Sequence, residues 1–192
     1  TNVIIGEYLA ANPAVTVDVR LTHDGPLNYP NEFDVALITR PRDRLLPDSS
    51  YRQVYLGKLD SGLFASPSYL ERAGVPEDLF ALRSHDCLSY LSSSWRFRNP
   101  EGSDRVIEIK PILRTGSNEV LRAATRSGRG ITYAFKDVFE KDLQTGDVVE
   151  ILPDLTQHSG LDMNLLLPSS RHPPLRVRRF ADTLRTYFSK HK

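Results

Sequence analysis

The spacing of hydrophobic residues along the 192-residue chain changes period several times. Val3, Ile4, Tyr8 and Leu9 recur at helical spacing. They predict a helix over Thr1 to Ala11, which stops at Asn12-Pro13 because proline disfavours helix in the residue before it. Val15, Val17, Val19 and Leu21 alternate with Thr16, Asp18 and Arg20, which predicts a strand over Val15 to Leu21. Residues 22–32, THDGPLNYPNE, read as an irregular loop. Phe33 to Ile38, FDVALI, is apolar but for Asp34 and reads as a buried strand. Thr39 to Ser50 is a polar, proline-bearing loop with the basic cluster RPRDR. Arg52 to Gly57 and Ser61 to Ser66 read as two more strands.

Ser66 then offers an N-cap and Pro67 a first helical position, so Pro67 to Ala73 is expected to be a helix ending at Gly74. Pro76 to Leu82 reads as a second short helix and Asp86 to Leu91 as a strand holding Cys87. Asn99 to Gly102, NPEG, predicts a turn between antiparallel strands Trp95 to Arg98 and Arg105 to Ile109.

From Arg114 to Pro153 the pattern is helix, glycine turn, strand, helix, glycine turn, strand. Ser117 suits an N-cap, Glu119 the first turn, and Val120, Leu121 and Ala124 an apolar stripe. Ile131 to Ala134 and Val148 to Leu152 read as strands, with Val138, Phe139 and Leu143 on a helix between them that Gly146 stops. Leu161 to Leu167 is a late apolar strand. Pro173-Pro174 opens a final helix with Val177, Phe180, Ala181, Leu184 and Phe188 on one stripe. This alternation predicts an α/β layer with a mostly parallel sheet. Ligands bind at the carboxyl ends of such strands and at helix N-termini. Gly116, Ser117, Thr132 and Tyr133 are therefore the first candidates for a binding surface. A two-lobed division is natural, with residues 1–60 plus 166–192 in one lobe and 61–165 in the other. The chain would cross near Lys58 to Leu63 and near Met163 to Leu167.

Composition narrows the function. A net charge of +1 offers no strongly basic face for nucleic-acid phosphates. The lone cysteine, Cys87, excludes an internal disulfide and a cysteine-based zinc site, and fits a reducing compartment. No signal peptide or membrane-length apolar run is visible. His23, His85, His158, His172 and His191 show no metal-ligand spacing, so neither a metal nor a cofactor is expected. The chain opens without Met in what reads as mid-helix, so a fragment is expected.

In order along the chain stand NPAVTVDV, FDVALITR, LPDSS, GLFASPSYLERAGVPEDLFALRSHDCLSY and GRGITYAFKDVFEKDLQTGDVVEILPD. Together they closely resemble the effector-sensing domain of LysR-type transcriptional regulators, over nearly the whole chain. The resemblance implies two Rossmann-like lobes of periplasmic-binding-protein type II, joined by two crossover strands, with a small-molecule cleft between them. It implies an N-terminal winged helix-turn-helix that carries DNA binding and lies outside this stretch. A first strand preceding Thr1, a cytoplasmic location and a homodimer or tetramer are implied as well. The helix at Thr1–Ala11 of one copy would meet that at Ser117–Ser127 of the other. Two features depart from the family pattern. HDGPLNYPNE stands where a helix is usual, and Thr39 stands where similar members carry Arg, with Arg40 one step later.

The resemblance places Thr22 and His23 at the cleft, where they are either ligand groups or plain loop residues. Arg40, beside Thr39, either pairs bidentately with a carboxylate or is a solvated arginine among Arg42 and Arg44. Ser92, Ser93, Ser94, Trp95 and Phe97 occupy a cleft-lining position, hydroxyls beside aromatics suiting a small pocket; the alternative is that Trp95 packs the core. Gly116 and Ser117 could hold an anion at a helix start, or Ser117 simply caps. His85-Asp86-Cys87 invites a catalytic reading, but neighbours on a strand face opposite ways, so a buried structural cysteine is expected. The leading expectation is an effector sensor and not an enzyme. The alternative is a transport-type solute-binding protein of the same fold.

Overall fold

The computed structural model describes residues 2–22, 32–41, 51–98, 104–156, 161–169 and 173–190. The chain divides into two compact units, residues 1–58 with 161–192 and residues 59–160.

In the first unit, helix α1 (Asn2–Ala11) and helix α6 (Leu175–Lys190) accompany a three-stranded sheet of β1 (Ala36–Pro41), β2 (Tyr51–Leu59) and β10 (Leu161–Pro168). The order is β1-β10-β2, and β1 runs antiparallel to β10. The predicted stripe of α6 is the buried one: Val177, Ala181 and Leu184 join Ile4, Leu56, Leu165 and Leu167 in one core, with Phe180 and Phe188 packed at its margin. Tyr8 binds α1 to α6 through its ring, 4.9 Å from that of Phe180, and its hydroxyl, which donates to the Arg176 carbonyl at 2.8 Å.

Two expectations fail here. Val15 to Leu21 forms no strand: Val15 and Val17 are half-buried, whereas Val19 is 53% and Leu21 94% exposed. Alternation marks only which face a strand would bury. A strand also needs a neighbour's backbone, and none of the described strands pairs with this segment. The strand expected from Phe33 begins at Ala36 instead, and the Phe33 ring stacks on Tyr51 at 5.0 Å. Pro41 closes β1, tolerated there because β1 is an edge strand.

The second unit holds a five-stranded sheet of order β7-β4-β8-β3-β9, comprising β3 (Ser61–Ala65), β4 (Cys87–Tyr90), β7 (Pro111–Thr115), β8 (Ile131–Phe135) and β9 (Val149–Ile151). β4 is parallel to both β7 and β8. β3 is antiparallel to its neighbours β8 and β9, so the sheet is mixed. Every residue of β3 is buried, because apolar layers cover both faces. Leu63 and Ala65 face a core with Cys87, Trp95, Phe97, Ile107 and Ile131; Phe64 stacks on Phe139 at 4.8 Å within another. A separate antiparallel ribbon, β5 (Ser94–Arg98) and β6 (Asp104–Glu108), matches the strands expected around NPEG, a turn that lies outside the described residues.

Local chemistry accounts for the helices. Ser66 caps α2 (Pro67–Ala73) by accepting from Tyr69 N, and Ser117 caps α3 (Asn118–Arg126) by accepting from Val120 N. Leu121 is fully buried, but Val120, placed on the same stripe by periodicity, is 48% exposed. The helix expected at Pro76–Leu82 is absent. The Asp78 carboxylate accepts from Phe80 N and Ala81 N at 2.8 and 2.9 Å, and only a 3₁₀ turn at Ala81–Ser84 follows. The next helix is also divided, a 3₁₀ turn at Lys136–Val138 preceding α4 (Glu140–Thr145). Gly146, at φ 76°, ends α4 in the left-handed conformation. A short α5 (Pro153–Thr156) follows β9.

Buried Asp142 on α4 receives Arg122 Nε and, at 2.8 Å, Arg122 Nη2 from α3, with Arg126 Nε 3.2 Å away. Asp147 extends the bracket, 2.9 Å from Arg126 Nη2. A buried carboxylate is tolerated only when paired in this way. No helix among the described residues is long and apolar enough to cross a membrane.

Candidate functional site

In the second unit the parallel strands β4 and β7 end level with each other, Tyr90 facing Thr115. The Leu91 amide donates to the Thr115 carbonyl at 3.2 Å, holding the two ends together. Beyond β4 the chain turns through Leu91, Ser92 and Ser93 into β5. The turn is built by Ser92, whose hydroxyl donates to the Ser94 carbonyl at 2.7 Å and lies 3.1 Å from the Ser94 amide that donates to it. The Ser93 carbonyl accepts from Ile109 N at 3.0 Å. Beyond β7, Thr115 Oγ1 accepts from Ser117 N at 3.1 Å, and Ser117 Oγ accepts from Val120 N at 3.3 Å. Two serine-bearing turns and the start of α3 thus meet at the carboxyl edge of the sheet, where ligands bind in open α/β folds. The hydroxyls of Ser93 and Ser94 make no hydrogen bond among the described residues and remain available there.

Beneath this edge lies an aromatic layer. Tyr133 sits 4.7 Å from Phe97 and 6.2 Å from Trp95, centroid to centroid. Trp95 and Phe97 are 4% and 1% exposed, and the Trp95 indole donates to Ser89 Oγ at 3.3 Å. Both are core residues of the unit, and they shape the edge from below. The Tyr133 hydroxyl is buried, and that burial raises its pKa; neighbouring Ser61 partly offsets the shift. Thr132 is wholly buried, its hydroxyl donating across the ladder to the Leu88 carbonyl at 2.9 Å. It links β8 to β4 and presents no surface.

The structure therefore brings together Ser92, Ser93, Ser94, Gly116 and Ser117, and sets Tyr133 below them with Trp95 and Phe97. The remaining candidates belong to the first unit. Thr22 is exposed after α1, Thr39 is exposed on β1, and Arg40 is half-buried there opposite Asp162. His23 lies outside the described residues. Two members of the strand-end site carry no sequence signal: Thr115, which holds the Ser117 amide, and Leu91, which adopts φ 56° and is 48% exposed. A leucine in the left-handed region is rare, so composition could not point to it.

The arrangement offers neutral hydroxyls, backbone amides and the positive end of α3, a set suited to holding a small polar or anionic group. It contains no nucleophile with an oriented base. Burial and the neighbouring Asp86 charge push the Cys87 thiol up to about 12. His85 Nδ1 faces the Tyr69 hydroxyl at 3.1 Å. No cluster of three metal-ligating side chains occurs among the described residues.

Residues 3–189 match the family described as the LysR substrate binding domain. An HTH-type transcriptional regulator of Xanthomonas campestris pv. campestris is 29% identical over 190 residues, covering 95% of this chain and 54% of that protein. The regulator CrgA of Neisseria meningitidis is 28% identical over 157 residues, covering 80% of this chain and 50% of CrgA. The chain thus spans about half the length of the curated relatives it matches. Among solved structures, full-length AphB of Vibrio cholerae superposes with a TM-score of 0.83 at 23% identity, covering 98% of this chain and 63% of AphB. The family match, running almost end to end, establishes that this chain belongs to the LysR substrate-binding domain family.

Proposed function

We propose that the chain is the effector-sensing part of a LysR-type transcriptional regulator, and that it binds a small molecule without transforming it. The observation that carries this reading is the substrate-binding family match over residues 3–189. In the second unit the serine-lined strand ends are the proposed effector groups; in the first unit they are Thr22, Thr39 and Arg40. The matched relatives are transcription regulators, which favours sensing over solute transport or catalysis. An effector shifts the balance between lobe arrangements only as far as its affinities for them differ. DNA contact is proposed to belong to a helix-turn-helix outside this stretch, in keeping with the names of the HTH-type relatives.

A genuine effector stabilises the folded chain by about 2.7 kcal/mol at a hundredfold excess over its Kd. For a domain of this size that raises Tm by roughly 5–10 °C. Differential scanning fluorimetry against a panel of organic acids, sugars and nucleosides reads the shift. If no compound moves the Tm of a well-folded sample, sensing loses its support.

The protomers are proposed to pair with α1 of one against α3 of the other. Exposed Val120 on α3 and Ile112 on edge strand β7 support this. Val120→Lys then weakens the dimer at least tenfold in sedimentation velocity. A parent chain that is monomeric at every concentration would overturn the pairing.

A further inference from the structure

The first unit contains a pocket of about 120 Å³ between α6 and the sheet, lined by none of the candidates above. Its apolar floor is Leu167 of β10 with Val177 and Ala181 of α6, all at most 5% exposed. Its rim carries Arg52 of β2 with Arg178 and Arg185 of α6, against one carboxylate, Asp182. Arg185 Nη1 lies 3.3 Å from Asp182 Oδ1, so that carboxylate is already paired. The guanidiniums of Arg52 and Arg178 make no hydrogen bond or ion pair among the described residues.

From these groups we propose that the pocket is a binding site for a small branched aliphatic carboxylate, separate from the strand-end site. The aliphatic floor takes the branched tail and the two uncommitted guanidiniums take the carboxylate, a planar fork meeting a planar anion. The volume is below that of drug-sized sites, so the ligand is a molecule of a few heavy atoms. The rim is exposed, which sets the affinity at a Kd on the order of 1 mM.

Isovalerate is the probe, read by methyl NMR on the 192-residue chain labelled at Leu, Val and Ala. The expected result is saturable shifts at Leu167, Val177 and Ala181. Acetate, which lacks the tail, and 3-methyl-1-butanol, which lacks the charge, should each bind at least tenfold more weakly. The Arg52→Ala, Arg178→Ala double variant should lose at least tenfold in affinity while keeping the parent methyl spectrum elsewhere. Asp182→Asn should bind more tightly, by removing the one negative charge. The proposal is overturned if the alcohol binds as well as the acid, if Asp182→Asn weakens binding, or if shifts are absent or confined to the second unit. Because the readout is local to the first unit, it stands or falls independently of an effector at the strand ends.

Discussion

Gly130→Val is expected to unfold the second unit at a markedly lower urea concentration, at a cost of at least about 3 kcal/mol. Gly130 enters β8 directly against the end of the segment before β4. A methyl there would overlap the Asp86 carbonyl oxygen and lie 3.2 Å from the Asp86 Cβ. That same carbonyl accepts from Ile131 N at 2.8 Å and starts the β4–β8 ladder. The obstruction is backbone, which cannot rotate aside, so the strand pair must separate. Trp95 fluorescence reads the event selectively, because the sole tryptophan lies in this unit's core. Gly6→Ala supplies the contrast: nothing lies within 4 Å of its Cβ, and the change sits within α1. It should stabilise the first unit by about 0.5–1 kcal/mol. A Gly130→Val chain unfolding with the parent would disprove the close approach.

Cys87 should resist alkylation in the folded chain by about a thousandfold relative to the chain in urea, at pH 8. The reactive species is the thiolate, and the thiol is shifted from its ordinary value near 9 to about 12, by burial first and by the Asp86 charge second. Its hydrogen is directed at the Leu82 and His85 carbonyls, 3.4 and 3.5 Å away. The same shift has a signed consequence for stability. The folded state holds the proton more tightly, so between about pH 9 and 12 only the unfolded chain loses it. Stability then falls as pH rises, by at most about 1.4 kcal/mol per pH unit. Iodoacetamide labelling followed by mass spectrometry measures the rate; equal rates in folded and unfolded chains would refute the buried position.

The elements that sequence placed well are those whose signals are local. Ser66-Pro67 and Ser117 open helices because a hydroxyl and a fixed φ act within one turn, and Gly146 closes one for the same reason. The stripe of α6 was legible because sixteen residues repeat one period. What escaped depends on partners distant in sequence. Alternation at Val15 to Leu21 could not reveal that none of the described strands pairs with it. The helix missing from PEDLFAL is the exception, a local competition in which the Asp78 carboxylate takes the amides of Phe80 and Ala81. At the candidate site the serine turn was visible as composition. The depth of Thr132, Trp95 and Phe97 was not, since burial is decided by layers that meet only in three dimensions. Family resemblance pointed to these segments; the structure separates those that present hydroxyls from those that support them.

The position of β3 and β10 within their sheets bears on mechanics. The chain leaves one unit at Lys58 and enters the next at Leu59, directly ahead of β3, and it returns at Leu161, the first residue of β10. Each of these strands is flanked on both sides, β3 by β8 and β9, β10 by β1 and β2. Tension applied through the first link therefore meets edge strand β2, held by one ladder, on one side and β3, held by two, on the other, so β2 peels first.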